Sequence, residues 1–473
     1  MTKKWFLLTF FLAVSFSGCS SETYRAEKAF WKAEQLLKQA QAKETAARSA
    51  AYEPVIFAFS EIAESYPATP KALESLFVVA NLRIRQKKYE DAIKTLEKII
   101  QNYSENSDSV AEARYGIANL YEALKNWSKA ESVYWETAES QSTQIKGLYA
   151  PVHVMIHYKK VQDPKGEQIA YERAIEHYQR LLKSFGPIEA SATITNYQAL
   201  AHLTHGNWRE ARKTWLSISK TFPANPYAPM ALLAAAETSW KQNEIPQAIK
   251  IYKQYFKLYP KHPLVGRSEA QLGILYQHQK DPVKAREWFE KALLNLNSKR
   301  PGEIADTKTL IGRTYQEEGK WEEAKKIYDE VAEKYGNTNA ALQIPFFVAE
   351  QYEKTGAPEK AKEVLDRALE RYKDLESRTK DPDRASFVQR LQNAAYAEKG
   401  DWAKVIENFN GNIKREKSLE RKANWIFLKA FVTEKRLEDR VQALDLYKDF
   451  LAQFPQHPLA KMAKSRQDIL LRA

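Results

Sequence analysis

One stretch of this chain occurs twice. Residues 248–264 read AIKIYKQYFKLYPKHPL and residues 443–459 read ALDLYKDFLAQFPQHPL, so rings, charges and a closing His-Pro-Leu coincide across 195 residues. Self-similarity at long range means stacked copies of one supersecondary unit, because such a unit cannot bury its apolar face alone. Shorter tags extend the pattern: KKYEDA (87–92), KNWSKA (125–130), GNWREA (206–211), GKWEEA (319–324) and GDWAKV (400–405). Taking the last residue of each tag as a register mark gives Val55, Ala92, Ala130, Ala174, Ala211, Ala248, Ala285, Ala324, Ala361, Val405 and Ala443. The successive spacings are 37, 38, 44, 37, 37, 37, 39, 37, 44 and 38 residues. Both values of 44 coincide with polar, Pro-containing insertions, QDPKGEQ (162–168) and RTKDPDR (378–384), expected to be lengthened turns.

The unit 305–337 shows the physics. Its first helix is predicted to place Ile311, Gly312 and Tyr315 on one face, and its second Ala324, Tyr328 and Ala332, at helical spacing. Gly319 falls in the turn between them. Small residues at Gly312 and Ala324 allow close approach of antiparallel helices, and the rings fill the space beside them. Leu272, Gly273, Tyr276, Ala285, Phe289 and Ala292 repeat the arrangement one unit earlier. Of 473 residues, 44% are hydrophobic and only 15 are Gly, too apolar for disorder and too poor in turn formers for a loop-rich fold. A single Cys excludes a disulfide framework and a thiolate metal cluster.

These units resemble the tetratricopeptide (TPR) repeat, a helix-turn-helix with Leu-Gly, Tyr, a central Ala, an aromatic, another Ala and a late Pro. The Pro stands here as Pro67, Pro223, Pro260 and Pro455, in YPATP, FPANP, YPKHP and FPQHP. The resemblance implies an all-α, TPR-type solenoid, a right-handed superhelix of about eleven hairpins over residues 52–458. The common spacing of 37 exceeds the family's usual 34 or so, and the surplus is assigned to a longer second helix. Residues 22–51, rich in Ala, Gln, Lys and Glu, are predicted to form one long N-terminal helix, which makes 19–51 a tether and helix. Residues 459–473 are predicted to cap the array, with Lys461, Lys464 and Arg466 on the polar outer face.

Residues 1–18 carry Lys3 and Lys4 before a twelve-residue apolar run, Trp5 to Phe16, too short for a bilayer span of about 20 residues. Ser17 and Gly18 precede the lone Cys19. This resembles the lipobox of bacterial lipoproteins, with Phe16 where an aliphatic residue is usual. It implies a signal peptide over 1–18 and acyl chains, palmitate among them, on Cys19, enough for stable anchoring. Ser20 after the Cys implies sorting to the outer membrane, facing the periplasm, or the outer leaflet of the cytoplasmic membrane in a Gram-positive host. The net charge of +13 falls to +11 without Lys3 and Lys4. Residues 191–264 hold nine Lys or Arg against three Asp or Glu, many of them (Lys213, Lys220, Lys250, Lys253, Lys257) on second helices, which face outward in the family.

Chemistry-bearing constellations are sparse. His153 and His157 stand at i, i+4 but lack the Glu of a zincin helix, and His202 and His205 have no accompanying Cys or carboxylate cluster, so neither metal nor cofactor is expected. There is no Gly-rich phosphate loop and no G-x-S-x-G elbow. Glu139-Ser140 and Glu376-Ser377 resemble the catalytic neighbourhood of lytic transglycosylases, but repeats running to the end leave no room for their lysozyme-like domain, so no enzyme is expected. Trp127, Trp208, Trp321 and Trp402 all lie three residues before a mark, which suits a ring packed over the turn better than a sugar platform. Nucleic acid and small-molecule substrates are not expected.

The TPR resemblance implies a groove lined by first helices that takes extended or helical protein segments, with Asn196, Glu237, Trp240, Gln277, Arg313, Gln316, Glu350 and Glu353 among its positions. Signal, lipobox and YPxxP repeats resemble the TPR lipoproteins of outer-membrane β-barrel assembly and the TPR proteins of the Tol-Pal system. The implied role is a lipid-anchored envelope scaffold binding protein partners. Cell-division complexes and export of a polysaccharide or pilus remain alternatives, and a peptidoglycan-active enzyme a more distant one.

Overall fold

The computed structural model describes residues 19–43, 45–416 and 418–472. The expected signal peptide and the side chain of Cys19 lie outside the described residues. Among the described residues there are 23 α-helices and no strand. They pair into eleven hairpins, each with one register mark on its second helix, followed by a closing helix, Ala460–Arg472. Two compact units emerge, 1–258 with six hairpins and 259–473 with five hairpins and the closing helix.

The register explains the packing in both units. All eleven marks are buried, none more than 3% exposed. Four residues on, Phe59, Tyr134, Tyr178, Trp215, Phe289, Tyr328 and Tyr447 are buried as well, each contributing about 2 kcal/mol of hydrophobic burial. The third buried position is seven residues after the mark, as at Ile99, Ile218, Val331 and Phe450. The expected Ala332 is only half-buried, because its side chain lies at the edge of the stripe that Val331 centres. Close approach is real at Gly312, where an added Cβ would lie 2.5 Å from the Tyr328 ring, and at Gly273, 2.5 Å from Phe289.

Four expectations change. Residues 22–51 are not one helix: Cys19–Gln41 ends near residue 42 and Thr45–Ser65 begins a second. The two pack through Phe30, Ala33 and Ala40 against Tyr52, Val55 and Phe59, making the first hairpin. The insertions are not long turns either. The seven extra residues lengthen Pro164–Phe185 at its start and Pro358–Arg378 at its end, each by two helical turns. Asp163 caps the former, its side chain accepting from Lys165 N and Gly166 N, and Pro164 takes the first turn. The surplus over 34 residues does not sit in the second helix, which is 14 residues long in eight hairpins; first helices from Pro70–Arg85 onward run 14 to 17 residues. Finally, Arg466 turns inward to Glu434 rather than facing solvent.

Nine of the eleven turns share one conformation. Five residues before the mark the backbone is left-handed, at Gly206 and Gly319 but also at Lys125 and Lys280, with φ of 60° and 59°. A side chain there costs about 1 kcal/mol relative to glycine. Lys125→Gly and Lys280→Gly are each expected to raise stability by about 0.5–1 kcal/mol, and urea denaturation of the variants checks this.

Candidate functional site

In the second unit, Arg313 projects from Pro301–Glu317, and Phe347, Glu350 and Glu353 from Asn339–Lys354. Their spacing of three residues each puts the latter three on one face of the helix. Together they line a cavity of about 370 Å³, closed by Ala361 and Leu365 of Pro358–Arg378 and by Glu398. The Arg313 guanidinium lies 4.8 Å from the Phe347 ring centre. Its Nη1 donates to Glu350 Oε2 at 2.6 Å, and Lys354 Nζ donates to Oε1 at 2.7 Å. Burial pushes the Glu350 carboxyl up, but these hydrogen bonds outweigh it and hold the acid below its usual range. The arrangement is an apolar floor with a charged rim, suited to gripping a side chain.

The other expected groove positions have different fates. Glu353 is exposed, and Gln277 Nε2 donates to Glu317 Oε1 of the next first helix at 2.7 Å. Gln316 is buried: its Oε1 accepts from Tyr328 OH at 2.9 Å, and its Nε2 donates to the Phe347 carbonyl at 3.0 Å. In the first unit, Asn196 is half-buried and accepts from the Trp215 indole at 3.0 Å. Glu237 is exposed and pairs with Lys241 one helical turn away, while Trp240 is half-buried. Asn196 and Gln316 thus satisfy the polar ends of buried rings. Asn119 does the same for Tyr134 at 2.5 Å.

The histidines are packed. Glu122 joins the first pair, its Oε1 2.8 Å from His157 Nδ1 and its Oε2 3.1 Å from His153 Nε2, and Tyr115 OH is 2.6 Å from His153 Nδ1. Trp127 stacks on His157 at 3.3 Å and 3°. Tyr171, three residues before the next mark, stacks on His205 at 3.9 Å and 6°, and His205 Nδ1 is 3.0 Å from the Glu167 carboxylate. The ring before the mark therefore supports the following first helix. Among the described residues no group of three or more His, Cys, Asp or Glu could hold a metal ion.

Residues 77–142 and 309–338 match tetratricopeptide-repeat families. The chain carries TPR repeats and folds as an all-α, TPR-type solenoid, a protein-interaction architecture. Within that class, residues 189–271 match the family YfiO, described as outer membrane lipoprotein. No curated protein matches the chain. Among solved structures, yeast Tom70 is similar at 10% identity and TM-score 0.42, with 95% of this chain and 96% of that one covered. A kinesin light chain from Podosopora anserina with TPR-like repeats is similar at 17% identity and TM-score 0.31, covering 39% and 92%. PilW, a type IV pilus biogenesis factor, is similar at 16% identity and TM-score 0.32, covering 50% and 98%.

Proposed function

We propose that this protein is a non-catalytic scaffold of the bacterial envelope, anchored by lipid at Cys19 and facing the periplasm from the outer membrane, where it binds segments of protein partners in outer-membrane protein assembly. The observation that carries this reading is the match of residues 189–271 to an outer membrane lipoprotein family. The lipobox-like Ser17-Gly18-Cys19 supports the anchor. The cavity under Arg313 supplies a surface with a mixed apolar and charged character, and Glu237, Trp240 and Gln277 are further contact positions on their own helices. Crosslinking in the native envelope followed by mass spectrometry tests the reading. An acylated Cys19 as mature N-terminus and crosslinks to envelope proteins are expected; an unmodified N-terminus beginning elsewhere refutes the anchor. Lysis on a peptidoglycan zymogram would refute the non-catalytic role.

Arg313→Ala combined with Glu353→Ala is expected to reduce recovery of crosslinked partner several-fold while leaving the melting curve within about 2 °C, since neither side chain is in the core. Unchanged recovery would exclude this cavity from partner binding.

A further inference from the structure

A second and larger cavity, about 810 Å³, opens in the second unit between the helices Pro382–Glu398, Trp402–Arg415 and Leu419–Lys435. Arg390, Arg415 and Arg421 line it, one from each helix, together with Asn412, Trp425 and Leu428. Asn412 breaks the repeat. It sits seven residues after Val405, where other hairpins bury Ile99, Ile218, Val331 or Phe450. It is itself only 7% exposed, and its Nδ2 meets no acceptor among the described residues. An unpaired buried donor costs about 1–3 kcal/mol, which an aliphatic residue would avoid. This donor therefore lacks the acceptor that a ligand would bring.

The charge around it points the same way. Arg421 Nε is 3.4 Å from Glu416, which also lines the cavity, while the carboxylate near Arg415 is Glu376 at 3.9 Å. Arg390 Nη1 donates to Ser386 Oγ at 3.1 Å. Three guanidiniums against one lining carboxylate leave an excess of planar, bidentate donors suited to an oxyanion. Beside them, Trp425 stands four residues and Leu428 seven residues after Arg421, on one face of the helix. The step from Arg421 to Trp425 is about 6 Å along the helix. Alternate side chains of an extended peptide are spaced by about 6.7 Å. An acidic side chain at the arginines thus brings an apolar one two residues away onto Trp425 and Leu428.

We propose that this cavity binds an extended peptide segment carrying a carboxylate two residues from an aromatic or aliphatic side chain, with Arg415, Arg421 and Asn412 on the acid and Trp425 and Leu428 on the apolar group. The proposal rests on the scaffold reading and adds the chemistry of the partner. Its test uses the full mature chain and a fluorescent peptide containing Glu-Ser-Phe, with the Gln-Ser-Phe peptide and inorganic phosphate as comparisons. The Glu peptide is expected to bind at least tenfold tighter than the Gln peptide, and Arg415→Gln with Arg421→Gln to erase that preference. Asn412→Val, the residue of the sister position Val331, is expected to melt no lower than the parent and yet to bind the Glu peptide several-fold more weakly. Equal binding of the two peptides, or unchanged binding in the variants, overturns the proposal. Binding of inorganic phosphate alone overturns it in favour of a free oxyanion. Envelope crosslinks that persist while the peptide fails to bind leave the scaffold reading standing without this site.

Discussion

Gly147→Ala is expected to destabilise the first unit by about 3 kcal/mol, the upper range for a forced steric insertion. Gly147 lies in the first turn of Ile145–Lys160, where the helix abuts the end of Trp127–Ser140. A Cβ there would collide with the carbonyl of Gln141, 2.6 Å from its carbon, and would stand 3.1 Å from the Thr137 oxygen. These are backbone atoms that no rotamer change can move. Leu148, Ala150 and Val152, fully buried just beyond, would have to shift with the helix. Thermal melts read the loss, and hydrogen exchange should place it in the hairpins on either side, because a repeat array couples nearest neighbours. Gly302→Ala is the control: nothing lies within 4 Å of its added Cβ, and its melting temperature should stay level or rise slightly.

The second large effect is expected at the other end. Glu434 is buried in Leu419–Lys435, where its Oε2 accepts from Tyr447 OH at 2.9 Å and from Arg466 Nε at 3.0 Å, and Lys435 Nζ lies 3.0 Å from its Oε1. Arg466→Ala leaves that carboxylate without its main partner, a loss of about 3 kcal/mol for a buried pair broken from one side. The last hairpin and closing helix should unfold ahead of the rest, visible as a new early phase in urea. Burial raises the Glu434 carboxyl, but Arg466, Lys435 and Tyr447 outweigh it and hold it at about 2. The folded form therefore binds its proton less readily than the unfolded chain, whose value is 4.5. The stabilisation is complete above about pH 4.5 and is lost as the pH falls toward 2. Glu53, held at about 2 chiefly by Lys88, adds to the same acid sensitivity at the first hairpins.

The stripe of marks was legible because a two-helix unit repeated eleven times imposes one apolar face on every copy. What repetition does not carry was harder to read. Asn196 and Gln316 look like surface residues until the buried rings of Trp215 and Tyr328 are seen to need acceptors; the signal was a Tyr or Trp four residues after the mark, whose polar end must be satisfied on the partner helix. The prolines of the insertions suggest turns, but Asp163-Pro164 and Asp381-Pro382 are helix starts in which proline occupies the first turn. The break near residue 42 has no such signal, since both flanking segments are equally good helix formers. Asn412 could have been found as the amide in an apolar column, but only with the third buried position set at seven residues after the mark.

Within each unit, helices touch their immediate neighbours in sequence or the next but one. Every hairpin can therefore close the contact between its own two helices as soon as both are present, and needs the following hairpin only to cover its remaining apolar face. A polypeptide delivered N-terminus first through a narrow channel can close these contacts in the order of delivery, and low sequence separation favours rapid closure. The length of the chain then adds copies of a quick local event, and leaves each newly emerged segment with its apolar stripe exposed only until the next hairpin arrives.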